Sequence, residues 1–380
     1  MKKKRKLLSI GHSYVVALNR RLANEMARLG QSDWEVTIVA PTFMRGDLRP
    51  IKLEIDSQDI CHVEPVPVYF SKRIHVMFYG WRLHEILKRD WDLVHCWEEP
   101  YILAGGQIAW WKTGNTPIIY STFQNKSKQY FPPFNLIEQY TMNQSRGWIA
   151  FGKTIVDALK DRPGYSLPMR SISPGVDINH FYPSSESKQA VRRSLEWSGS
   201  EIPVIGYLGR FVAEKGLNLL MRVLDQLKTP WRALLVGTGS MESTLKLWAE
   251  RYPDQVRICT DVKHNEVPQY LNAMDMLVAP SQTMPNWREQ FGRMLIEAFA
   301  CGIPVIGSDS GEIPYVLENA GMVVGEKDES GWVAAISDLL ENPSRRQILG
   351  KAGLEKAHAS YSWSSVAQQH LDFFNELLEK

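Results

Sequence analysis

Two glutamates, Glu289 and Glu297, flank the start of a predicted helix in the segment EQFGRMLIE. An apolar run stops at Pro280-Ser281, and the pattern that follows predicts a helix from about Phe291 to a glycine stop at Gly302. The first turn of such a helix presents unpaired N–H groups and a positive dipole end, which suit phosphate. Glu289 can accept hydrogen bonds from sugar hydroxyls there. The Glu297 side chain leans back toward the same helix end and can hold two vicinal hydroxyls.

Two cations lie earlier in the chain, directly after another apolar run. Gly209-Arg210 follows Leu208, and Lys215-Gly216 stands where a helix is expected to begin. An arginine fork and a lysine point charge at the carboxyl end of a strand suit a diphosphate. Gly292, in the acidic segment, lets a ligand approach the backbone closely. Taken singly, each acid is better explained as a helix cap or surface charge, and each cation as solvated loop charge.

The elements that must position these residues are short apolar runs that alternate with helical patterns. Continuous apolar runs suit strands buried on both faces of a parallel sheet, and the alternation predicts a doubly wound α/β fold. A helix is also predicted near residues 14–29. The predicted strands are 7–10, 36–40, 93–96, 118–121 and 148–151, and then 204–208, 233–236, 256–259, 276–279 and 304–307. The run at 256–259 is the least regular, because Arg257 interrupts it.

The chain is long enough for two domains. The stretch from Pro174 to Ser187 is rich in proline and serine and is the predicted linker, which gives domains at 1–173 and 174–363. Ligands of open α/β sheets bind beyond the carboxyl ends of the strands. We therefore expect the active site between the two domains.

The joint order of several motifs resembles the donor half of family 4 glycosyltransferases. These motifs are GR-x4-KG, VGTGS, PS, E-x7-E with FG after the first acid, ACGIPVI and SGEIP. The segment PGVD-x3-FYP resembles the passage between domains in such enzymes, and residues 364–380 resemble their terminal helix, which packs back on the first domain. The resemblance covers essentially the whole chain and is strongest from 174 to 325. It implies the GT-B fold, in which two facing Rossmann-like domains leave a cleft between them.

The resemblance also implies roles. The donor would be a nucleotide-sugar, a UDP- or GDP-sugar, and a hexose would be transferred with retention of configuration, without a metal or other cofactor. Arg210 and Lys215 would hold the diphosphate and stabilise its growing charge as it leaves, and Glu289 would bind the sugar. The other donor-binding residues would be Glu297, at the ribose, together with Gly209, Phe291, Gly292, Arg293 and Met294.

The first half departs from the family pattern in two places. Many relatives carry two glycines after the first strand, where this chain has Gly11-His12-Ser13, and a histidine after the fourth strand, where it has Gln124. Gln124 cannot act as a base, so it either hydrogen bonds or has no part. The candidates to line the cleft or acceptor site are His12, Ser13, His95, Glu98 with its neighbour Glu99, and Gln124. For His95, a buried structural role is an equal alternative.

Composition and charge narrow the expected partners. The 380 residues are 44% hydrophobic and 23% charged, typical of a globular protein, and no apolar run approaches the ~20 residues of a membrane span. The basic Met1–Lys6 precedes an apolar run too short for a signal peptide, so the expected location is the cytoplasm. Residues 1–190 hold 25 basic and 18 acidic side chains. This bias favours a glycan or lipid-linked acceptor and peripheral contact with the inner membrane face, although ordinary solvated charge explains it equally well. No nucleic-acid partner is expected.

Several features are open to other interpretations. Lys72–Arg82 mixes cations with large apolar residues and is either a basic membrane-surface element or, somewhat better, a core-facing helix. Asp90-Trp91-Asp92 fits a DxD motif but precedes a strand, which favours a helix-to-strand turn. Neither this motif nor the widely spaced cysteines predict a metal site or a disulfide. The cysteines are Cys61, Cys96, Cys259 and Cys301.

Two rival functions remain at this stage. A catalytically silent sugar-binding or scaffold protein can share the same fold, because fold does not fix function. A NAD-dependent enzyme would need a glycine fingerprint, which Gly237-Thr238-Gly239 does not complete.

Overall fold

The computed structural model describes residues 3–45, 50–199 and 201–379, which form two compact units. Unit 1 comprises Met1–Gly175 and Trp363–Lys380, and unit 2 comprises Val176–Ser362. The chain thus enters unit 2 once and leaves it once. The boundaries predicted from the sequence lie at 173/174 and 363/364.

The described part of unit 1 is built on a seven-stranded parallel sheet. The strands of unit 1 are β1 (Arg5–Ile10), β2 (Trp34–Pro41), β3 (Phe43–Arg45), β4 (Pro50–Lys52), β5 (His62–Val66), β6 (Val68–Tyr69), β7 (Phe78–Tyr79), β8 (Leu93–Cys96), β9 (Ile118–Thr122), β10 (Gly147–Ala150) and β11 (Met169–Ser171). The main sheet has the order β11-β10-β9-β8-β1-β2-β5, while β3 with β4 and β6 with β7 form antiparallel pairs. The helices are α1 (Arg21–Leu29), α2 (Arg82–Leu87), α3 (Leu103–Trp111), α4 (Phe134–Asn143) and α5 (Lys153–Leu159). The order of the strands reverses between β1 and β8, which makes a switch point there.

In unit 2, the described residues form a six-stranded parallel sheet. Its strands are β12 (Val204–Leu208), β13 (Arg232–Val236), β14 (Val256–Cys259), β15 (Met276–Ala279), β16 (Val305–Ser308) and β17 (Met322–Val324). Its helices are α6 (Ser185–Ser194), α7 (Leu217–Leu224), α8 (Glu242–Ala249), α9 (Val267–Ala273), α10 (Arg293–Ala300), α11 (Ile313–Leu317), α12 (Glu329–Glu341) and α13 (Pro343–Lys356). The strand order is β14-β13-β12-β15-β16-β17, a Rossmann-like arrangement whose switch point lies between β12 and β15.

The last helix, α14 (Trp363–Glu379), belongs to unit 1. Its Phe374 packs edge-on against Trp34 with 6.3 Å between ring centroids, and its Ser364 hydroxyl accepts a hydrogen bond from Arg28 of α1 at 3.1 Å. The helix contributes Val366, Leu371 and Phe374 to the core beneath β1 and β2. The terminal segment therefore returns to the first unit after the chain leaves the second.

Two helical predictions are wrong. The segment predicted as one helix over 14–29 is instead two 3₁₀ turns, His12–Val15 and Ala17–Arg20, followed by α1. Val16 between them is extended, and the buried Arg20 guanidinium donates to the Tyr14 carbonyl at 2.9 Å, which an unbroken helix would have used internally.

The stretch Lys72–Arg82 is not the core-facing helix that the sequence favoured. It contains a 3₁₀ turn at Ile74–Val76 and strand β7, and α2 begins only at Arg82. Lys72 and Arg73 are exposed, while Met77 and Tyr79 are buried in the core. The mixed composition therefore reflects an irregular segment anchored at its second half.

Other sequence features keep their predicted structural roles. Asp92 accepts a hydrogen bond from the Lys6 N–H at 2.6 Å and immediately precedes β8, as expected of a helix-to-strand turn. The cysteines, all in the described part of the chain, form no disulfide, and burial raises the pKa of the Cys61 and Cys301 thiols to about 12. No helix in the described residues is long and apolar enough to cross a membrane.

Candidate active site

The candidate site of unit 2 begins at its switch point. Strands β12 and β15 are hydrogen-bonded neighbours, with Ile205 opposite Met276 and Gly206 opposite Leu277. Their carboxyl ends therefore open at the same edge of the sheet. The loop that carries Arg210 and Lys215 follows β12, and the segment that carries Ser281 and Glu289 follows β15.

Lys215 and Glu289 form an ion pair at this edge. The Lys215 Nζ lies 2.5 Å from Oε2 of Glu289, and the two side chains are only 13% and 8% exposed. The Ser281 hydroxyl donates to the same Oε2 at 2.9 Å, and the ammonium lies 5.1 Å from the ring centroid of Trp287. A cation, a carboxylate, a hydroxyl and an aromatic face thus meet at one place.

Two glycines let the backbone close tightly around this pair. Gly216, which follows Lys215, has a φ of +74°, and a Cβ there would lie 1.8 Å from the Pro280 carbonyl oxygen. Gly311 has a φ of +58°, and a Cβ there would lie 2.0 Å from the Glu289 carbonyl oxygen. Only glycine accommodates both the left-handed backbone and the close approach. The backbone of the SGEIP segment therefore packs against the backbone of Glu289. Gly216 lets the turn that carries Lys215 pack against Pro280, directly after β15.

Arg210 lies beside the pair without contacting it. Its side chain is 64% exposed and lies 3.7 Å from Glu214, while its carbonyl accepts the Tyr207 hydroxyl at 2.7 Å. Burial raises the pKa of Tyr207, the negative charge of Glu289 raises it further, and the positive charge of Arg210 opposes both. The charges of Arg210 and Glu289 therefore both act on the Tyr207 hydroxyl. The Arg210 guanidinium is exposed and can turn toward a ligand.

Helix α10 begins two residues later than the sequence predicts. Gly292 has a φ of +81° and leads into α10 at Arg293. Phe291 is buried, Arg293 is exposed and Met294 is partly buried. Glu297, in the second turn, is largely buried. Burial raises the pKa of its carboxyl above the usual value, and the positive charge of Arg293 opposes this rise only in part. No hydrogen bond or ion pair among the described residues joins Glu297 to Lys215 or Glu289.

At the switch point of unit 1, His12 and Glu98 form a second charged pair. The His12 Nδ1 lies 2.7 Å from Glu98 Oε2, its backbone N–H donates to Oε1 at 2.6 Å, and the Tyr79 hydroxyl donates to Oε1 at 2.6 Å. Burial alone raises the pKa of Glu98, but His12 and Tyr79 lower it below its usual value. Burial alone lowers the pKa of His12, and Glu98 raises it above its usual value. Both shifts favour an imidazolium–carboxylate pair.

Two family models match this chain, one for each half. The family described as Glycosyltransferase Family 4 matches residues 15–180, and that described as Glycosyl transferases group 1 matches residues 189–356. The resemblance to family 4 glycosyltransferases is confirmed in both units. The site residues at 209–216 and 281–312 lie within the second match, and His12 lies just before the first.

Curated glycosyltransferases match part of the chain. A GDP-mannose-dependent monoacylated α-(1-6)-phosphatidylinositol monomannoside mannosyltransferase of Corynebacterium glutamicum is 31% identical over 202 residues, 51% of this chain and 53% of that protein. A D-inositol 3-phosphate glycosyltransferase of Corynebacterium jeikeium is 29% identical over 241 residues, 59% of this chain and 55% of that protein. The chain spans about half the length of the curated relatives it matches.

Solved glycosyltransferases share the fold over nearly the whole chain. A glycosyltransferase from Rickettsia africae is 18% identical with a TM-score of 0.76, and both chains are fully covered. The Anabaena protein HepE, solved in complex with UDP, is 18% identical with a TM-score of 0.72, covering 98% of this chain and 100% of its own. At these identities the likeness establishes the fold alone, which is that of the GT-B glycosyltransferases.

The remaining first-half candidates differ in their surroundings. Ser13 is partly buried and lines a cavity with His12. His95, in β8, is fully buried, lies 2.9 Å from the Ser121 hydroxyl, packs against Trp97 and Phe374, and burial holds its pKa well below the usual value. Its surroundings favour the structural role that the sequence left open.

Gln124 lies in a polar cluster that the sequence did not reveal as a whole. Its amide nitrogen donates to Glu99 at 3.2 Å and lies 3.5 Å from Glu138, while its oxygen accepts from Tyr130 at 2.9 Å and Arg162 at 3.2 Å. Arg162 also pairs with Glu138 at 2.8 Å. Gln124 therefore connects two carboxylates through hydrogen bonds, in agreement with the role that a non-basic residue can have at this position.

The sequence did not predict the contacts made to Gln124 and to the Lys215–Glu289 pair by side chains from other segments of the chain. Glu138 lies in α4, Tyr130 precedes that helix and Arg162 follows α5, and none of the three carries a motif. Trp287 and Tyr207, in unit 2, flank the Lys215–Glu289 pair and likewise carry none. Ser281 could have been found, because a hydroxyl directly after β15 stands at the edge where ligands bind.

Glu99 makes stability depend on pH. Burial raises the pKa of its carboxyl from 4.5 to about 7. The folded chain therefore keeps this proton while the unfolded chain loses it, and the resulting stabilisation is complete below pH 4.5 and is lost as the pH rises through 7. Relative to Glu99→Gln, the free energy of unfolding of the wild type should fall by roughly 1–3 kcal/mol over this range.

Urea unfolding at several pH values measures this difference. Glu85→Gln, at an exposed glutamate of α2, is the control and should follow the wild type at every pH. A Glu99→Gln curve parallel to the wild-type curve would show that Glu99 titrates normally.

Proposed function

We propose that this chain is a retaining hexosyltransferase that uses a UDP- or GDP-sugar and extends a glycan or glycolipid of a cell-surface polysaccharide pathway. The observation that supports this most strongly is the Lys215–Glu289 pair beside Ser281, at the switch point of unit 2. The names of two relatives give independent support. One names GDP-mannose, which supports a nucleotide-sugar donor, and both name phosphatidylinositol or inositol phosphate compounds, which support a glycolipid acceptor.

Unit 2 would bind the donor through opposite charges. A diphosphate placed beside Lys215 would share the ammonium with Glu289, and the exposed Arg210 guanidinium would close on its other oxygens. Among the described residues, Lys215 and Ser281 both contact Oε2 of Glu289, which leaves Oε1 to accept hydrogen bonds from sugar hydroxyls. The N–H groups after Gly292 and the Glu297 carboxyl would hold the rest of the donor.

These residues would act mainly on the departing diphosphate. Negative charge grows on it as the glycosidic bond breaks, and the Lys215 and Arg210 cations would stabilise that charge more than they stabilise the bound donor. Partial burial of Lys215 strengthens this effect, because a desolvated cation interacts more strongly than one in water. In this proposal the chain needs no metal and no other cofactor.

The acceptor would bind unit 1. His12, Ser13, Glu98 and Gln124 are our candidates there, and the excess of basic residues in the first half supports an acceptor that carries phosphate. We propose that the protein acts in the cytoplasm, at the inner face of the membrane, without a nucleic-acid partner.

A donor screen tests the proposal directly. A bound donor raises thermal stability by mass action, so a UDP- or GDP-sugar should raise the melting temperature while the ADP-sugar has a smaller effect. Release of free nucleotide should then depend on that donor and persist in EDTA.

The screen also separates the rival function. A stabilising donor that is never turned over, with any acceptor preparation, would support a silent sugar-binding protein. No stabilisation by any nucleotide sugar would remove the proposed donor site, and loss of turnover in EDTA would contradict a metal-independent reaction.

A further inference from the structure

An apolar groove runs between α3 and α4 in unit 1. It has a volume of about 490 Å³ and contains a single polar side chain, Gln107, apart from the tyrosine hydroxyl at its edge. Trp110 and Leu136 on its walls are large apolar side chains, yet they are 73% and 58% exposed. The described residues that line it are Phe78, Leu103, Gly106, Gln107, Trp110, Trp111, Pro133, Leu136, Ile137 and Tyr140.

A second cavity, of about 760 Å³, continues from this groove. Phe78 and Leu103 line both. Phe78 also packs against Tyr69 and Phe70, with ring centroids 5.3 and 5.8 Å away. Phe70 has a φ of +56° and is 70% exposed, a strained conformation of the kind that clusters at binding sites.

The second cavity differs from the groove in its charge. Arg45, Lys72 and Arg73 line it, and its described lining holds no acidic residue. These three cations, with Ser71 and Val76, also line a third cavity of about 710 Å³, which reaches His12 and Ser13. Because neighbouring cavities share lining residues, the three form a path from the apolar groove past the cations to the candidate acceptor residues.

We propose that this path binds a single lipid-linked acceptor, an amphiphile with one hydrocarbon chain and a phosphate or pyrophosphate group. The hydrocarbon chain lies in the α3–α4 groove, the phosphate lies among Arg45, Lys72 and Arg73, and the group that receives the hexose lies toward His12. The chemistry of each section selects its part of the ligand, since apolar walls favour hydrocarbon and converging cations favour phosphate. This inference rests on the proposed function, of which it specifies the acceptor class.

The order of the sections favours a single amphiphile over a bilayer surface. The apolar groove is concave and has no cation in its described lining, and the three cations line only the cavities that follow it. A protein partner is less well matched, because Gln107 and the Tyr140 hydroxyl are too few polar groups, among the described lining residues, to form the polar rim typical of such interfaces.

Binding of decyl phosphate below its micelle concentration, followed by calorimetry on the full chain, tests the inference. Wild-type protein should bind decyl phosphate at least about tenfold more tightly than decanol or inorganic phosphate, since each of these engages only one section. Trp110→Gln with Leu136→Gln, and separately Lys72→Gln with Arg73→Gln, should each weaken binding by about tenfold or more. Both variants change exposed side chains, and circular dichroism and thermal melting will show whether they are folded.

Matched substitutions outside the path should leave binding of decyl phosphate unchanged. Ile55→Gln replaces an exposed apolar residue of unit 1, and Lys88→Gln an exposed lysine of the same unit. Equal affinity in the path variants and in these controls would overturn the inference. So would binding to phosphatidylcholine vesicles with none to monomeric decyl phosphate.

The donor screen described above is independent of this test. If no nucleotide sugar binds but decyl phosphate binds along the path, the proposed function fails and the lipid site stands. If a donor binds and is turned over but decyl phosphate does not bind, the acceptor inference alone fails.

Discussion

Replacing either Lys215 or Glu289 with alanine will reduce hexose transfer by roughly tens to hundreds of fold, because a charge-assisted hydrogen bond is worth roughly 1.5–3 kcal/mol. In the proposed mechanism, Lys215→Ala would remove a cation from the departing diphosphate, and Glu289→Ala would remove the acceptor of the sugar hydroxyls. Steady-state kinetics of nucleotide release with the donor found in the screen gives the loss in kcat/KM.

Each single substitution also leaves an unpaired charge in a mostly buried position. Breaking such a pair from one side is destabilising, whereas removing both charges is much less so. The variant Lys215→Ala with Glu289→Ala should therefore be more stable to urea than either single variant, yet no more active. A purely structural pair would instead regain turnover together with stability.

A matched control exists in the same unit. Lys188 pairs with the largely buried Asp275 at 2.8 Å, away from the site. Lys188→Ala should lower the free energy of unfolding and leave kcat/KM near the wild-type value. Near wild-type kcat/KM in both Lys215→Ala and Glu289→Ala would remove the donor-site assignment.

The sheets could be predicted from the sequence where strands are covered on both sides. All of the central strands were expected, because burial on both faces produces a continuous apolar run. In the two main sheets, the missed strands β5, β11 and β17 all lie at the edges, and the short antiparallel pairs β3-β4 and β6-β7 were missed as well. The residues of these edge strands are partly exposed: β11 (MRS) has no apolar run, and the run of β17 (MVV) is only three residues long. The irregular β14 at residues 256–259 is an edge strand as well.

The proposed donor site could be anticipated from the sequence because its residues follow neighbouring strands. Once β12 and β15 are placed side by side, Lys215 and Glu289 must lie at the same edge of the sheet, at the carboxyl ends of these strands. The break at Val16 was not predictable from local pattern, since it depends on Arg20 bonding to the Tyr14 and Glu54 carbonyls. The Gln124 cluster is missed for the same reason, as Glu138 and Arg162 reach it from separate elements.

Gly216→Ala will be strongly destabilising and will reduce turnover by more than about tenfold, because a small displacement of a catalytic group is costly. The left-handed backbone at φ +74° disfavours a Cβ, and that Cβ would lie 1.8 Å from the Pro280 carbonyl oxygen. Strain and overpacking together should lower the free energy of unfolding by roughly 2–4 kcal/mol. Relief of the clash must move either Lys215 or the Pro280-Ser281 segment, and each carries a contact to Glu289.

Gly199→Ala separates backbone strain from the clash. Gly199 has a similar φ of +67°, lies in the same unit and has nothing within 4 Å of an added Cβ. This control should lose only about 1 kcal/mol, the cost of the left-handed conformation, and keep its turnover. Equal losses of stability in the two variants, measured by urea unfolding, would mean that the Pro280 contact carries no energy. In that case the close packing of the two loops would not be what fixes Lys215 against Glu289.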